Sequence, residues 1–199
     1  MASVPDAVPQ ARLLRYNNGA VILHWLTALV VVVQVVVGFV FANMDRGPAR
    51  GEVFTLHKTL GALILVLALI RLTWRITHRP PPFPPELPHW ERVPALLTHW
   101  LFYALLILLP LTGLTAVSGH ADGAAATPLL GGIPLPLIPG ISEDIGEQAG
   151  DIHVLLVLVT LALLVLHIAA ALMHQIRGNR AAGRMPPFHA PNEEAVPAP

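Results

Sequence analysis

The chain has 199 residues, 54% of them apolar and 12% charged, with no formal net charge and no cysteine. An ordinary soluble domain is about 25% charged, so this composition belongs to a chain that spends most of its length inside a bilayer. The missing cysteines exclude disulfides, thiolate-held iron–sulfur clusters and haem attached covalently through Cys-x-x-Cys-His; no glycine-rich nucleotide loop appears either.

Four apolar stretches can each cross about 30 Å of hydrocarbon. They are expected near residues 20–41, 53–74, 94–117 and 152–173, which predicts an all-α, four-helix transmembrane bundle occupying residues 1–185 as one domain. The first stretch follows Arg12 and Arg15 and is too long for a signal-peptide core, so it reads as an uncleaved anchor. Between the second and third spans, residues 80–88 (PPPFPPELP) cannot be helical and read as a stiff polyproline spacer. Pro110 predicts a kink in the third span. Residues 118–151 read as a long loop rich in Gly and Pro that ends in an acidic patch, Glu143, Asp144, Glu147 and Asp151. The apolar piece of that loop, residues 128–139, holds too much proline for a fifth span and is expected at the interface or as a cap on the bundle. The tail from Pro186 is expected to be disordered.

The arginines set the expected orientation. Arg12 and Arg15 precede span one, Arg75, Arg79 and Arg92 lie between spans two and three, and Arg177, Arg180 and Arg184 follow span four. The opposite side has only Arg46, Arg50 and Lys58. Both termini are therefore expected to be cytoplasmic, with four spans crossing alternately.

Six histidines fall in or beside the spans: His24, His57, His99, His153, His167 and His174. Imidazole is costly in hydrocarbon and usually functional there. A single one can simply hydrogen-bond a neighbouring helix; six together ask for more. His153 and His167 are fourteen residues apart on the last span, about 21 Å of helix axis and nearly four turns, so both rings leave roughly the same side. Depth sorts the rest. His57 and His153 lie toward the outer face; His24, His99, His167 and His174 lie toward the inner one. Two opposed imidazoles at one depth suit axial ligation of a b-type haem by two helices. The outer pair is then His57 with His153. The inner pair uses His167, with His24 or His99 as partner, and spacing does not choose between them. Ligands fourteen residues apart cannot share one ion, and one pair alone is short of ligands for zinc.

Small residues flank these positions: Gly61 lies one turn after His57, Ala28 one turn after His24, and Ala170 and Ala171 follow His167. They would let a flat macrocycle approach the backbone, although tight helix packing also favours them. Arg71, fourteen residues after His57, could pair with a haem propionate or a quinone carbonyl, or simply snorkel to the interface. His99 and His174 are candidates for a quinone pocket, since quinone reduction needs proton donors. Trp25, Trp74 and Trp100 read as interfacial belt residues. The triplet His24-Trp25-Leu26 recurs as His99-Trp100-Leu101, the pattern of two related helical hairpins.

These residues together resemble the prokaryotic cytochrome b561 family, whose best-described activity is superoxide oxidation. The matching features run from about Arg15 to Met185: Leu23-His24-Trp25-Leu26; Leu56-His57-Lys58 and Ile70-Arg71-Leu72; His99 and Leu109-Pro110-Leu111-Thr112-Gly113-Leu114; Ile152-His153; and Leu166-His167 through Met173-His174. The resemblance implies two haem b groups, ligated by His24 with His167 and by His57 with His153. It also implies electron flow from an outer donor, superoxide in the best-described members, to ubiquinone. One feature departs from an anion-capturing funnel. The outer side carries Arg46, Arg50 and Lys58 against Asp45, Glu52, Asp122, Glu143, Asp144, Glu147 and Asp151, so it is net acidic, with Lys58 beside His57 as a local positive spot. An acidic face also suits a basic periplasmic redox partner, and the alternative role is a haem-bearing membrane anchor for a separate dehydrogenase or hydrogenase. No nucleic-acid partner is expected.

Overall fold

The computed structural model describes residues 15–85, 87–178 and 181–185. Arg12, Arg180 and the tail from Pro186 lie outside the described residues.

Four long helices run back and forth: α1 (Asn18–Ala42), α2 (Pro48–Thr77), α3 (His89–Gly119) and α4 (Glu143–Ile176). Each is long and apolar enough to cross a membrane. Local chemistry sets their ends. Asn17 caps α1 by accepting from the Ala20 amide at 2.9 Å, and Ser142 caps α4 through the Ile145 amide. Pro48 opens α2, where a missing N–H costs nothing. The α3 helix is unbroken across Pro94 and Pro110.

Two expectations change. The acidic patch is not the end of a loop: Glu143, Asp144, Glu147 and Asp151 lie on the first turns of α4, which begins nine residues before the expected start. A serine cap and a negative first turn favour a helix N-terminus there, so the helix extends past the apolar run. Residues 128–139 take part in a small antiparallel hairpin, with β1 (Ala126–Pro128) paired to β2 (Pro134–Pro136) around a 3₁₀ turn at Leu130–Gly132. This hairpin caps the bundle. The Leu130 amide donates to Thr59 Oγ1 of α2 at 3.0 Å and the Ile138 amide to Ser118 Oγ of α3 at 3.0 Å.

Backbones pack closely as α1 on α2, α2 on α3 and α3 on α4. The buried core, Ile64, Ala68 and Leu106, lies between α2 and α3. The α3–α4 crossing is glycine on glycine: a Cβ on Gly119 would lie 2.6 Å from the Gly146 Cα, so the two helices touch there only because neither residue has a side chain. At the opposite end, residues 80–84 are non-helical as expected. The Arg184 guanidinium donates to the Pro81 carbonyl at 2.6 Å and stacks over the rings of Tyr16 and Phe83. It thus straps the end of the chain across the proline segment. Burial there lowers the Arg184 pKa below the usual guanidinium value.

Gly119→Val should destabilise the bundle by about 1–3 kcal/mol through overpacking, read as a lower Tm in detergent. Gly51→Ala, in a helical position with open space around it, should leave Tm unchanged or raise it.

Candidate functional site

Histidines meet at two levels of the bundle. Toward the hairpin end, the rings of His57 on α2 and His153 on α4 have centroids 6.3 Å apart. Toward the terminal end, His24 on α1 and His167 on α4 are 6.4 Å apart, and His99 on α3 approaches the same His167 at 5.6 Å. The helix pairs that carry the paired rings, α2 with α4 and α1 with α4, are not those whose backbones pack closely. The α4 helix leans on α3 and faces the other two through imidazoles.

The hairpin-end pair is well supported. His153 Nδ1 donates to the Leu109 carbonyl at 2.9 Å, with Thr112 Oγ1 at 3.2 Å, so its proton is held on Nδ1 and Nε2 keeps its lone pair. Gln34 of α1 brings its amide nitrogen to 3.2 Å and 3.3 Å from the two nitrogens of His57 and donates to the His57 carbonyl at 3.1 Å. Two glycines press on these rings. A Cβ on Gly38 would come 3.2 Å from His57 Cε1, and one on Gly113 would come 3.3 Å from His153 Cε1. Gly61, the glycine singled out by sequence, faces Gln34 instead, with 3.7 Å available to a Cβ. Sequence reading missed Gln34 and Gly38. The signal for the glycines is spacing: Gly38 follows His24 by fourteen residues, and Gly113 follows His99 by fourteen.

Cations and aromatic rings gather beside His57. Phe41 stacks on Phe54 at 4.7 Å and lies 6.1 Å from the His57 ring. The Arg50 guanidinium sits 4.3 Å over Phe41 and Lys58 Nζ 5.1 Å from the Phe54 centroid. Lys58 also donates to Thr127 Oγ1 of the hairpin at 2.5 Å. Elsewhere on this end, ligand atoms of His120, Glu143 and Glu147 come within 4.8 Å of one another, all three residues exposed.

At the terminal end a cavity of about 300 Å³ opens between α1, α2 and α3, lined by Arg71, His99, Tyr103, Trp74 and further arginines. Arg71 turns inward rather than snorkelling. Its Nη2 lies 3.2 Å from His24 Nδ1 and its guanidinium 5.7 Å from the Tyr103 centroid. His99 Nδ1 donates to the Ala95 carbonyl at 2.5 Å. His174 is not brought to this cavity: its Nε2 lies 3.8 Å from Glu91 Oε2.

Four helices able to cross a membrane, with imidazoles paired between them at two levels, are the arrangement of a membrane cytochrome of the b kind. The description of the prokaryotic cytochrome b561 family matches residues 15–187, and the chain belongs to that family. It is 27% identical over 164 residues to cytochrome b561 homolog 2 of Escherichia coli K12, covering 80% of this chain and 84% of that protein. It is 28% identical over 167 residues to cytochrome b561 homolog 1 of the same organism (80% and 89% covered). It is 25% identical over 165 residues to the probable superoxide oxidase CybB of Yersinia pestis (80% and 88% covered). Family membership makes this a multi-pass bacterial membrane protein of electron transfer and implies that it binds haem b.

Because Lys58 ties α2 to the hairpin, Lys58→Met should loosen residues 124–138. Faster hydrogen exchange confined to that segment is the expected result; unchanged protection would mean that Thr59 and Ser118 hold the hairpin without it.

Proposed function

We propose that the chain carries electrons between a donor at the hairpin end and ubiquinone at the terminal end, through two haem b groups held by His57 with His153 and by His24 with His167. In this reading both termini are cytoplasmic, residues 1–185 act as one domain, and the donor approaches from the periplasm. The observation that carries it is the ring separation. Two imidazoles on opposite sides of one iron, each about 2 Å from it, hold their centroids about 6.3 Å apart. The two pairs stand at 6.3 Å and 6.4 Å, whereas His99 and His167, at 5.6 Å, are too close for that arrangement. The α4 helix makes few close backbone approaches to α1 and α2, the helices that carry the partner rings, and the glycines at 38 and 113 lie against the hairpin-end rings.

Haem supplies the one-electron chemistry; the chain supplies ligation, charge and protons. The Leu109 carbonyl fixes the His153 tautomer that presents Nε2 to a metal. His24 must likewise carry its proton on Nδ1 to offer Nε2. Arg71, a donor only, then has to leave Nδ1, and its guanidinium becomes free to pair with a propionate. Gly61 keeps the backbone of α2 slim one turn beyond His57. For the donor, superoxide fits the local spot of positive charge made by Lys58 and Arg50 next to His57. At the other end the quinone head would sit in the cavity against His99, with Arg71 near its carbonyl, while His174 stands outside the cavity beside Glu91. The exposed carboxylates Glu143 and Glu147 favour one alternative, a basic periplasmic redox partner for which this chain is the haem-bearing membrane anchor.

Pulsed superoxide should reduce the purified protein and, with ubiquinone present, yield quinol. His153→Ala should bring the superoxide reaction to background while quinol still reduces the remaining haem. A protein with full haem that accepts electrons from neither superoxide nor quinol would overturn the reading. Gly113→Ala, which pushes a methyl at His153, should shift the reduction potential of one haem alone, while Gly150→Ala, whose nearest neighbour would be 3.9 Å away, should shift neither.

A further inference from the structure

We propose that His120, Glu143 and Glu147 form a binding site for a divalent transition cation of the zinc class at the hairpin end of the bundle, with water completing the coordination. Their ligand atoms lie within 4.8 Å of one another, and all three residues are exposed. Three ligands each about 2 Å from one ion stand about 3.3 Å apart, so closing on a cation asks only small rotations of exposed side chains. One imidazole and two carboxylates leave a fourth tetrahedral position for water.

The fold brings this group together from two helices. Glu143 and Glu147 are one turn apart on α4, so they share a face. His120 directly follows the last residue of α3. Gly146, buried and next to Glu147 in the chain, sets the distance between the helix ends. A Cβ on it would lie 2.8 Å from the Gly119 Cα and 3.3 Å from His120 Nδ1. The imidazole is oriented as well. His120 Nδ1 donates to the Ala116 carbonyl at 2.9 Å, which holds the proton there and leaves the Nε2 lone pair for a metal. A backbone carbonyl on the far nitrogen is a usual outer partner of a ligating histidine.

Charge favours a cation. Two carboxylates at i and i+4 repel each other, and a divalent ion between them removes that repulsion. The positive end of α4 opposes the ion with about half a charge, against two negative charges from the glutamates. The histidine decides the kind of ion. Carboxylates alone suit calcium and magnesium, whereas an imidazole moves the preference to zinc and its neighbours. A basic protein surface would need only the carboxylates, and Asp144 and Asp151 on the first turns of α4 would serve it equally.

The inference goes beyond the electron-transfer reading and does not rest on it, since it uses only the ends of α3 and α4. The experiment adds zinc alone to EDTA-treated protein carrying its haem and no histidine tag. Bound zinc is counted per chain, and a competing chromophoric chelator gives the affinity. The parent should hold one zinc at this site, prefer it to calcium and gain Tm from it. Glu143→Gln, Glu147→Gln and His120→Asn should each weaken zinc binding at least about tenfold. Asp144→Asn, which removes the same charge about 100° around the helix, should leave it unchanged. His120→Asn should also lose the preference over calcium. Haem absorbance and the zinc-free Tm, equal across the variants, show that each is folded; the two glutamates, both exposed, keep the test open if His120→Asn is not. Unchanged affinity in all three variants would place the zinc elsewhere and overturn the proposal. An equal loss in Asp144→Asn, or calcium held as tightly as zinc, would overturn it too, leaving only the diffuse attraction of an acidic face.

Discussion

The fold depends on one constraint: imidazole groups inside a hydrocarbon layer must be given partners, and α4 supplies two of them a full 21 Å apart along its axis. A helix satisfying that constraint cannot pack evenly on every neighbour. Here α4 closes on α3, where Gly119 and Gly146 let backbones touch, and stands away from α1 and α2, where His24 and His57 face it. The clustered apolar core, Ile64, Ala68 and Leu106, lies on the α2–α3 seam, with Val30 and Val31 of α1 packed against it. Apolar packing holds one side of the bundle together, and the other side is organised around ring pairs.

A fourteen-residue interval recurs on all four helices. It links His24 to Gly38, His57 to Arg71, His99 to Gly113 and His153 to His167. Gly38 lies against His57 and Gly113 against His153, so the interval is a relation in space as well as in sequence. Each hairpin of helices contributes the same two levels. The level near the β-hairpin then holds two imidazoles and two glycines, and the level near the termini holds three imidazoles and one arginine. This explains why the pairing near the β-hairpin is unique while the level near the termini is crowded. Arg71 stands where the second hairpin has His167, and its Nη2 lies 3.2 Å from His24 Nδ1. The repeat that three shared residues only hinted at is therefore better supported by the glycines than by the His-Trp-Leu triplets.

Much of this was readable from the chain alone. Four spans, the depth of each histidine and the outer pair follow from apolar run length and helical spacing, which are local properties. The start of α4 was misplaced because hydropathy finds where a helix is apolar, and Glu143 through Asp151 are polar yet helical under the Ser142 cap. The β-hairpin was hidden because its proline content masks strand periodicity; its position comes from tertiary bonds to Thr59 and Ser118. Gln34 beside His57 and the pairing of His174 with Glu91 join residues 23 and 83 positions apart, and no periodicity in one helix announces such contacts. Spacing did not choose between His24 and His99; the family resemblance did, because both lie at one depth and helical periodicity cannot separate them.

The central claim is that two irons sit at two levels, one between each ring pair. Anomalous diffraction at the iron edge from crystals of the loaded protein tests it most directly. The account predicts two iron peaks about 20 Å apart, one between His57 and His153 and one between His24 and His167. A single peak, or an inner peak coordinated by His99 instead of His24, would contradict it.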